Sequence, residues 1–145
     1  MITEIRPMRS GDLEAVVQIE EKLFSQPWSR QGFLDSLQAD NTIYLVALAD
    51  DTVAGYCGLL QVLDEADITN VAVDEAFQRR GIARALLQEL FTQAQKRGIT
   101  ALTLEVRKSN VSALSLYESL GFENCGIRRN FYEKPTEDAV IMWKR

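Results

Sequence analysis

The chain has 145 residues, 46% hydrophobic and 26% charged, the size and balance of one soluble domain with its own core. Its net charge of −5 disfavours general nucleic-acid binding, and no apolar run approaches the roughly 20 residues that cross a bilayer. Histidine is absent, which excludes a Ser-His-Asp triad, a Cys-His pair and His-ligated zinc, so proton transfer falls to Glu, Asp, Tyr, Lys, Cys or water.

The N-terminal stretch Met1–Glu14 carries charges where a signal peptide needs its apolar segment, so a cytoplasmic location is expected. Ile2–Arg6 can form a short strand. Ser10 is a candidate N-cap for a helix whose stripe is Leu13, Val16, Val17, Ile19, Glu20 and Leu23. Pro27-Trp28-Ser29 breaks that helix, and Ser29 can cap a second, short one through Leu37. The apolar run Ile43–Ala49, the turn Asp50-Asp51 and the run Val53–Val62 predict a β-hairpin. Asp64-Glu65 marks a turn before a strand over Ile68–Val73 that contains Asn70.

The clearest helix begins at Ile82, with Ala83, Leu86, Leu87, Leu90, Phe91 and Ala94 on one broad face. Lys96-Arg97 fills its last turn, and Gly98 follows as a left-handed cap. Thr100–Val106 reads as a buried strand. Asn110 caps a helix through Leu120 that Gly121 closes, and Phe122–Phe131 and Ala139–Trp143 are the last two strands. The order predicts a mixed α/β domain over residues 1–145 with no internal repeat and no linker. Cys57 and Cys125 form no CxxC pair and read as small core residues rather than a disulfide.

Two clusters carry chemistry. In Gln78-Arg79-Arg80-Gly81-Ile82-Ala83-Arg84, three arginines crowd a helix N-terminus, where cations are unfavourable unless an anion sits between them. Gly81 would let backbone approach a phosphate. The segment lacks both a P-loop GK[ST] and a GxGxxG fingerprint, and the plain alternative is a set of solvated surface arginines. The second cluster is Glu105, in a strand where a carboxylate is costly, and Tyr117, one helix later. Burial would raise the Glu105 carboxyl toward the range of a useful base. Side chains lean toward a helix N-terminus, so the Tyr117 hydroxyl points back toward the end of the Glu105 strand. The plain alternatives are a solvated strand end and a core aromatic.

The segments Asn70–Val73, Gln78–Leu87, Leu104–Asn110 and Leu116–Phe122 together resemble the GNAT acetyltransferases. Within them, Leu104–Asn110 and Arg128–Tyr132 are most similar to the RimI group, the ribosomal-protein-alanine N-acetyltransferases. The resemblance extends to Pro27–Ser29 and Leu63–Ala66 and covers nearly the whole chain.

It implies a GNAT fold, a central mixed but mostly antiparallel sheet of about six or seven strands flanked by about four helices. It implies acetyl-CoA as co-substrate, no metal, and transfer to the α-amine of an alanine-initiated ribosomal protein. The backbone of Val71, Ala72 and Val73 would hold the pantetheine arm, and the Arg79, Arg80, Gly81, Ile82, Ala83, Arg84 turn the pyrophosphate. Asn110 would also touch the cofactor. Glu105 would be the general base and Tyr117 the general acid. Trp28, Glu65, Arg128, Asn130 and Tyr132 are candidate contacts for the N-terminal peptide. Ala83 departs from the family's second glycine in the phosphate turn. The protein would act as a monomer or weak dimer, without direct contact to nucleic acid or membrane. The rival readings are acetylation of lysine or a small amine, a non-catalytic acyl-CoA-binding module, and a structural protein with a surface arginine turn.

Overall fold

The computed structural model describes residues 2–145. Seven extended runs pair into one sheet: β1 (Glu4–Pro7), β2 (Thr42–Ala49), β3 (Thr52–Val62), β4 (Glu65–Val73), β5 (Ala101–Arg107), β6 (Glu123–Tyr132) and β7 (Glu137–Lys144). Their order across the sheet is β1-β2-β3-β4-β5-β7-β6, and every neighbouring pair is antiparallel except β4 and β5. The helices are α1 (Leu13–Leu23), α2 (Arg30–Gln38), α3 (Ile82–Lys96) and α4 (Val111–Ser119).

Both faces of the sheet are covered, which explains why β2 reads as an unbroken apolar run rather than an alternating one. Ile43, Leu45 and Ala47 face a core with Leu86, Leu87 and Leu90 of α3. Tyr44, Val46 and Leu48 face a second core with Leu13, Val16 and Ile19 of α1 and Phe33 of α2. Phe33 stacks edge-on against Tyr56 and Tyr44 with centroids 5.8 and 6.5 Å away, and Trp28 lies 5.3 Å from it. These aromatics seat the α1–α2 loop on the sheet.

The register of β3 against β4 shifts between Gly58↔Asn70 and Leu59↔Ile68, so Thr69 is an extra residue in β4. That bulge reverses which way the strand's side chains face. Ala66 and Ile68 before it belong to the α3 core, whereas Ala72 after it belongs to the α1–α2 core. The parallel pairing of β4 with β5 runs from Glu65↔Ala101 to Asp67↔Thr103 and stops there. The two central strands therefore form a fork, closed at their starts and open toward their C-terminal ends.

Gly58 makes the bulge possible in this form. A Cβ at Gly58 would run into the Tyr44 ring, which lies across β3. The Tyr44 hydroxyl thereby reaches the next strand, 2.7 Å from Thr69 Oγ1 and donating to Asn70 Oδ1 at 3.2 Å. Gly58→Ala is expected to displace Tyr44, costing about 1–3 kcal/mol and lowering Tm by roughly 5 °C. Thermal melting followed by near-UV circular dichroism checks this, and a wild-type Tm would show that the ring has room to move.

Several local expectations shift. Ser10 does not cap α1: Ser10–Asp12 forms a single 3-10 turn, and α1 begins at Leu13. Asp12 orders that turn, accepting the Arg9 N–H and both Arg6 guanidinium nitrogens at 2.8 Å each. Glu65 opens β4 instead of sitting in the turn, which is Leu63-Asp64. Both cysteines are free, but only Cys57 is in the core, since Cys125 is exposed on the sheet's edge strand β6.

Candidate active site

The open fork leads into a cavity of about 530 Å³. β4 contributes Ile68, Thr69, Asn70 and Val71, and β5 contributes Leu104 through Arg107. Asn110, Ala113 and Tyr117 of the α4 region, Phe131 and Tyr132 of β6, and Glu20 and Trp28 complete the parts that matter here.

Glu105 and Tyr117 reach this cavity from opposite faces of the sheet. On β5, Leu102, Leu104 and Val106 enter the α3 core, so the alternation turns Thr103, Glu105 and Arg107 toward the α1–α2 face. Tyr117 packs in the α3 core, its ring 5.7 Å from that of Phe122. The gap between β4 and β5 is what lets the two side chains share one cavity.

Their environments push both groups in the same direction. Burial raises the Glu105 carboxyl above the ordinary glutamate range, and the charge of Asp67 adds to this. Arg128 opposes it, with Nε 3.9 Å from Glu105 Oε1, but the Arg128 side chain is 58% exposed and water screens the pair. Burial likewise raises the Tyr117 phenol, which therefore stays protonated at neutral pH. Tyr132 is pushed up to about 12 by burial, with the Glu105 charge adding to it. At Glu105 the cavity thus has a carboxyl suited to accept a proton, and Tyr117 and Tyr132 are phenols that retain theirs.

The arginine turn stands at the start of α3. Arg79 (φ 65) and Gly81 (φ 77) both adopt left-handed backbone, and no side chain caps the helix. A Cβ at Gly81 would meet nothing within 4 Å, so space is open beside the helix start, where the first-turn N–H groups have no intrahelical acceptor. Arg79, Arg80 and Arg84 form no ion pair among the described residues. Arg80 lies over the Phe77 ring, and Arg84 donates to Ser119 Oγ of α4 at 2.7 Å, tying the two helices together. The donor set suits a diphosphate, with open backbone amides and two further guanidinium groups beside them. Ile82 itself points into the core, and Ala83 is half-buried in the first turn, where a methyl group is accommodated.

On the fork's β4 edge, Val71, Ala72 and Val73 pair with β3 on one side only. The Gln78 amide donates to the Val73 carbonyl at 3.0 Å and occupies that acceptor. Asn110 caps α4, its Oδ1 accepting the Ala113 N–H at 3.2 Å, and it also lines the cavity.

The candidate peptide contacts divide. Trp28 and Tyr132 line the cavity, and Arg128 stands beside Glu105. Asn130 does not line it; its backbone N–H donates to Asp138 Oδ1 within the β6–β7 hairpin. Glu65 is at the wrong end of the fork. Parallel pairing puts the start of β4 at the closed end, roughly 16 Å of strand from Asn70.

Three residues of the site are missed by the motif reading. Arg107 spans the cavity rim, donating to the Pro135 and Glu133 carbonyls at 3.0 and 2.9 Å and to Glu137 at 3.1 Å, with its guanidinium 4.5 Å from the Tyr132 ring centroid. Asn70 is 7% exposed, and with Oδ1 held by Tyr44, its Nδ2 has no partner among the described residues and reaches the cavity. Glu20, 3% exposed, accepts the Tyr56 hydroxyl and the Trp28 N–H. Polar residues inside apolar patterns were the available signal for Glu20 and Asn70.

Comparison with known proteins finds similar chains over nearly the whole length. The pattern of the Acetyltransferase (GNAT) family matches residues 13–122. The [ribosomal protein bS18]-alanine N-acetyltransferase of Salmonella typhimurium (strain LT2) is 47% identical over 139 residues, covering 93% of this chain and 92% of the relative. Its counterpart from Escherichia coli (strain K12) is 42% identical over 142 residues, covering 95% and 94%. The crystal structure of the ribosomal-protein-S18-alanine N-acetyltransferase from Escherichia coli superposes with a TM-score of 0.91 at 40% identity, covering 99% of this chain and 93% of that one.

Proposed function

The chain belongs to the GNAT acetyltransferase family, and on that premise we propose that it acetylates the N-terminal α-amine of an alanine-initiated ribosomal protein. Acetyl-CoA supplies the thioester acyl group. The reading takes residues 1–145 as one catalytic unit, acting in the cytoplasm as a monomer or weak dimer. The observation that carries it is the fork, where a carboxyl of raised pKa and a protonated phenol meet one cavity from opposite faces of the sheet.

Division by face gives each side one task. The α3 face, with the arginine turn, Asn110 and Tyr117, takes the cofactor. The α1–α2 face, with Trp28, Tyr132 and Glu105, takes the peptide. Glu105 accepts a proton from the acceptor ammonium, directly or through a water. The freed nitrogen lone pair forms the new amide bond as the carbon–sulfur bond breaks, and the nitrogen gives up its second proton to water. Tyr117 donates its hydroxyl proton to the departing thiolate and is reprotonated from solvent. Direct transfer fits the cysteines, because burial raises the Cys57 thiol and keeps it from acting as a nucleophile.

The free edge of β4 at Val71–Val73 supports the reading, since an extended amide-bearing arm can pair there as a strand would. The test is incubation with acetyl-CoA and a peptide copying the N-terminus of ribosomal protein S18. Mass spectrometry should find one acetyl group on the α-amine. Transfer to lysine side chains alone, or to no peptide, would overturn the proposal.

A further inference from the structure

Glu20 stands in the buried stripe of α1, at a position where helical spacing calls for an apolar side chain. Its Oε1 accepts the Tyr56 hydroxyl at 2.6 Å, and its Oε2 accepts the Trp28 backbone N–H at 3.0 Å. Both donors are neutral. Tyr44, the other phenol near it, is also kept neutral by burial, as Tyr56 is. No lysine or arginine among the described residues pairs with Glu20. Its charge is therefore buried and unbalanced, an expensive state.

Anchoring the α1–α2 loop does not require that charge. A glutamine here could accept the Trp28 N–H through its carbonyl and donate its amide to the Tyr56 oxygen, because a phenol both gives and takes hydrogen bonds. The charge is surplus to the fold. Meanwhile Glu20 lines the cavity, on the α1–α2 face that also carries Glu105. A carboxylate has about four acceptor positions, so lone pairs remain for a ligand.

We infer that Glu20 is a recognition subsite for a cationic nitrogen of the acceptor peptide. The inference rests on the acceptor reading above. Such a peptide offers its α-ammonium, the main form at neutral pH because α-amines titrate at about 7.7–8.0, and an Ala-Arg probe adds a second cation on the residue that follows. Glu20 attracts either one by charge and hydrogen bonding, and the cation in turn balances the buried carboxylate.

The test compares wild type with Glu20→Gln on three peptides. The parent begins Ala-Arg. The second replaces alanyl with propionyl, removing only the α-amine, and is measured as a competitive inhibitor. The third replaces arginine with neutral citrulline. Glu20→Gln should raise the parent's KM about tenfold, the effect of losing one charge-assisted contact, with a smaller change in kcat and none in the KM for acetyl-CoA. One neutral isostere should become indifferent to the substitution, the propionyl peptide if the α-ammonium is read and the citrulline peptide if the side chain is. Equal shifts for all three peptides, or no shift for any, would overturn the subsite.

If Glu20→Gln fails to fold, equilibrium binding to Glu105→Gln protein decides. The parent must bind about tenfold tighter than one isostere, and equal affinities reject the inference. A wild-type protein that acetylates no peptide defeats the acceptor reading itself. A wild-type protein that acetylates peptides while Glu20→Gln keeps its KM defeats only the subsite.

Discussion

Glu105→Gln is expected to lower kcat by roughly 10²- to 10⁴-fold, the range of a lost general base, while leaving the affinity for acetyl-CoA unchanged. The substitution keeps size and hydrogen-bonding capacity but removes the group that takes the proton. Burial raises this carboxyl, with Asp67 adding to the effect, so wild-type turnover should fall on the acid side through a pKa above that of an ordinary glutamate. The variant should lack that limb.

The same shift has a consequence for stability. A carboxyl whose pKa is higher in the folded than in the unfolded state favours folding most below its unfolded pKa. That contribution is lost as pH rises through the folded value. At neutral pH the ionised Glu105 is thus a cost to the fold, and Glu105→Gln should melt no lower than wild type. Steady-state kinetics from pH 5 to 9, with thermal melts at both ends, check both parts. Wild-type turnover in the variant would remove Glu105 from the mechanism.

Which features were legible in the sequence depends on how local their causes are. α3 was readable because its stripe has a 3.6-residue period and Lys96, Arg97 and Gly98 mark its end. The Asn110 cap was readable because an N-cap needs only three following residues to act, and the bond to Ala113 forms as expected. The extra residue Thr69 was not readable. A bulge depends on which residue of β3 opposes it, and Gly58 permits it only because Tyr44 of a third strand lies overhead.

The fork follows the same logic. That β4 and β5 run parallel, and part after Asp67, comes from the crossover through α3 and the bulge together. Without it, Glu65 looked as close to the chemistry as any neighbouring acid. With it, Glu65 lies at the closed end. The motifs bring Glu105 and Tyr117 to one end of the sheet, where both line one cavity, but do not reveal that they approach it from opposite faces. Glu20 was visible as an acid in an apolar stripe, yet its meaning depends on the partners Tyr56 and Trp28, distant in the first case by 36 residues.

Tyr117→Phe should lower kcat by about 10²-fold or more, the lower end of general acid contributions, with folding intact. The ring remains packed against Phe122, and the lost hydroxyl forms no hydrogen bond among the described residues, so stability should stay within about 0.5 kcal/mol of wild type. Burial keeps the phenol protonated across the working pH range, so the variant's deficit should be the same at every pH where wild type is active. That separates it from Glu105→Gln, whose deficit changes with pH.

The leaving group provides the decisive comparison. A thiolate of low basicity departs without help from an acid. With acetyl donors of increasingly acidic thiols, the gap between wild type and Tyr117→Phe should narrow, whereas the gap for Glu105→Gln should persist, because deprotonation of the amine is unaffected by the leaving group. A constant gap for Tyr117→Phe across the donor series would mean that its hydroxyl orders the cavity rather than delivering the proton.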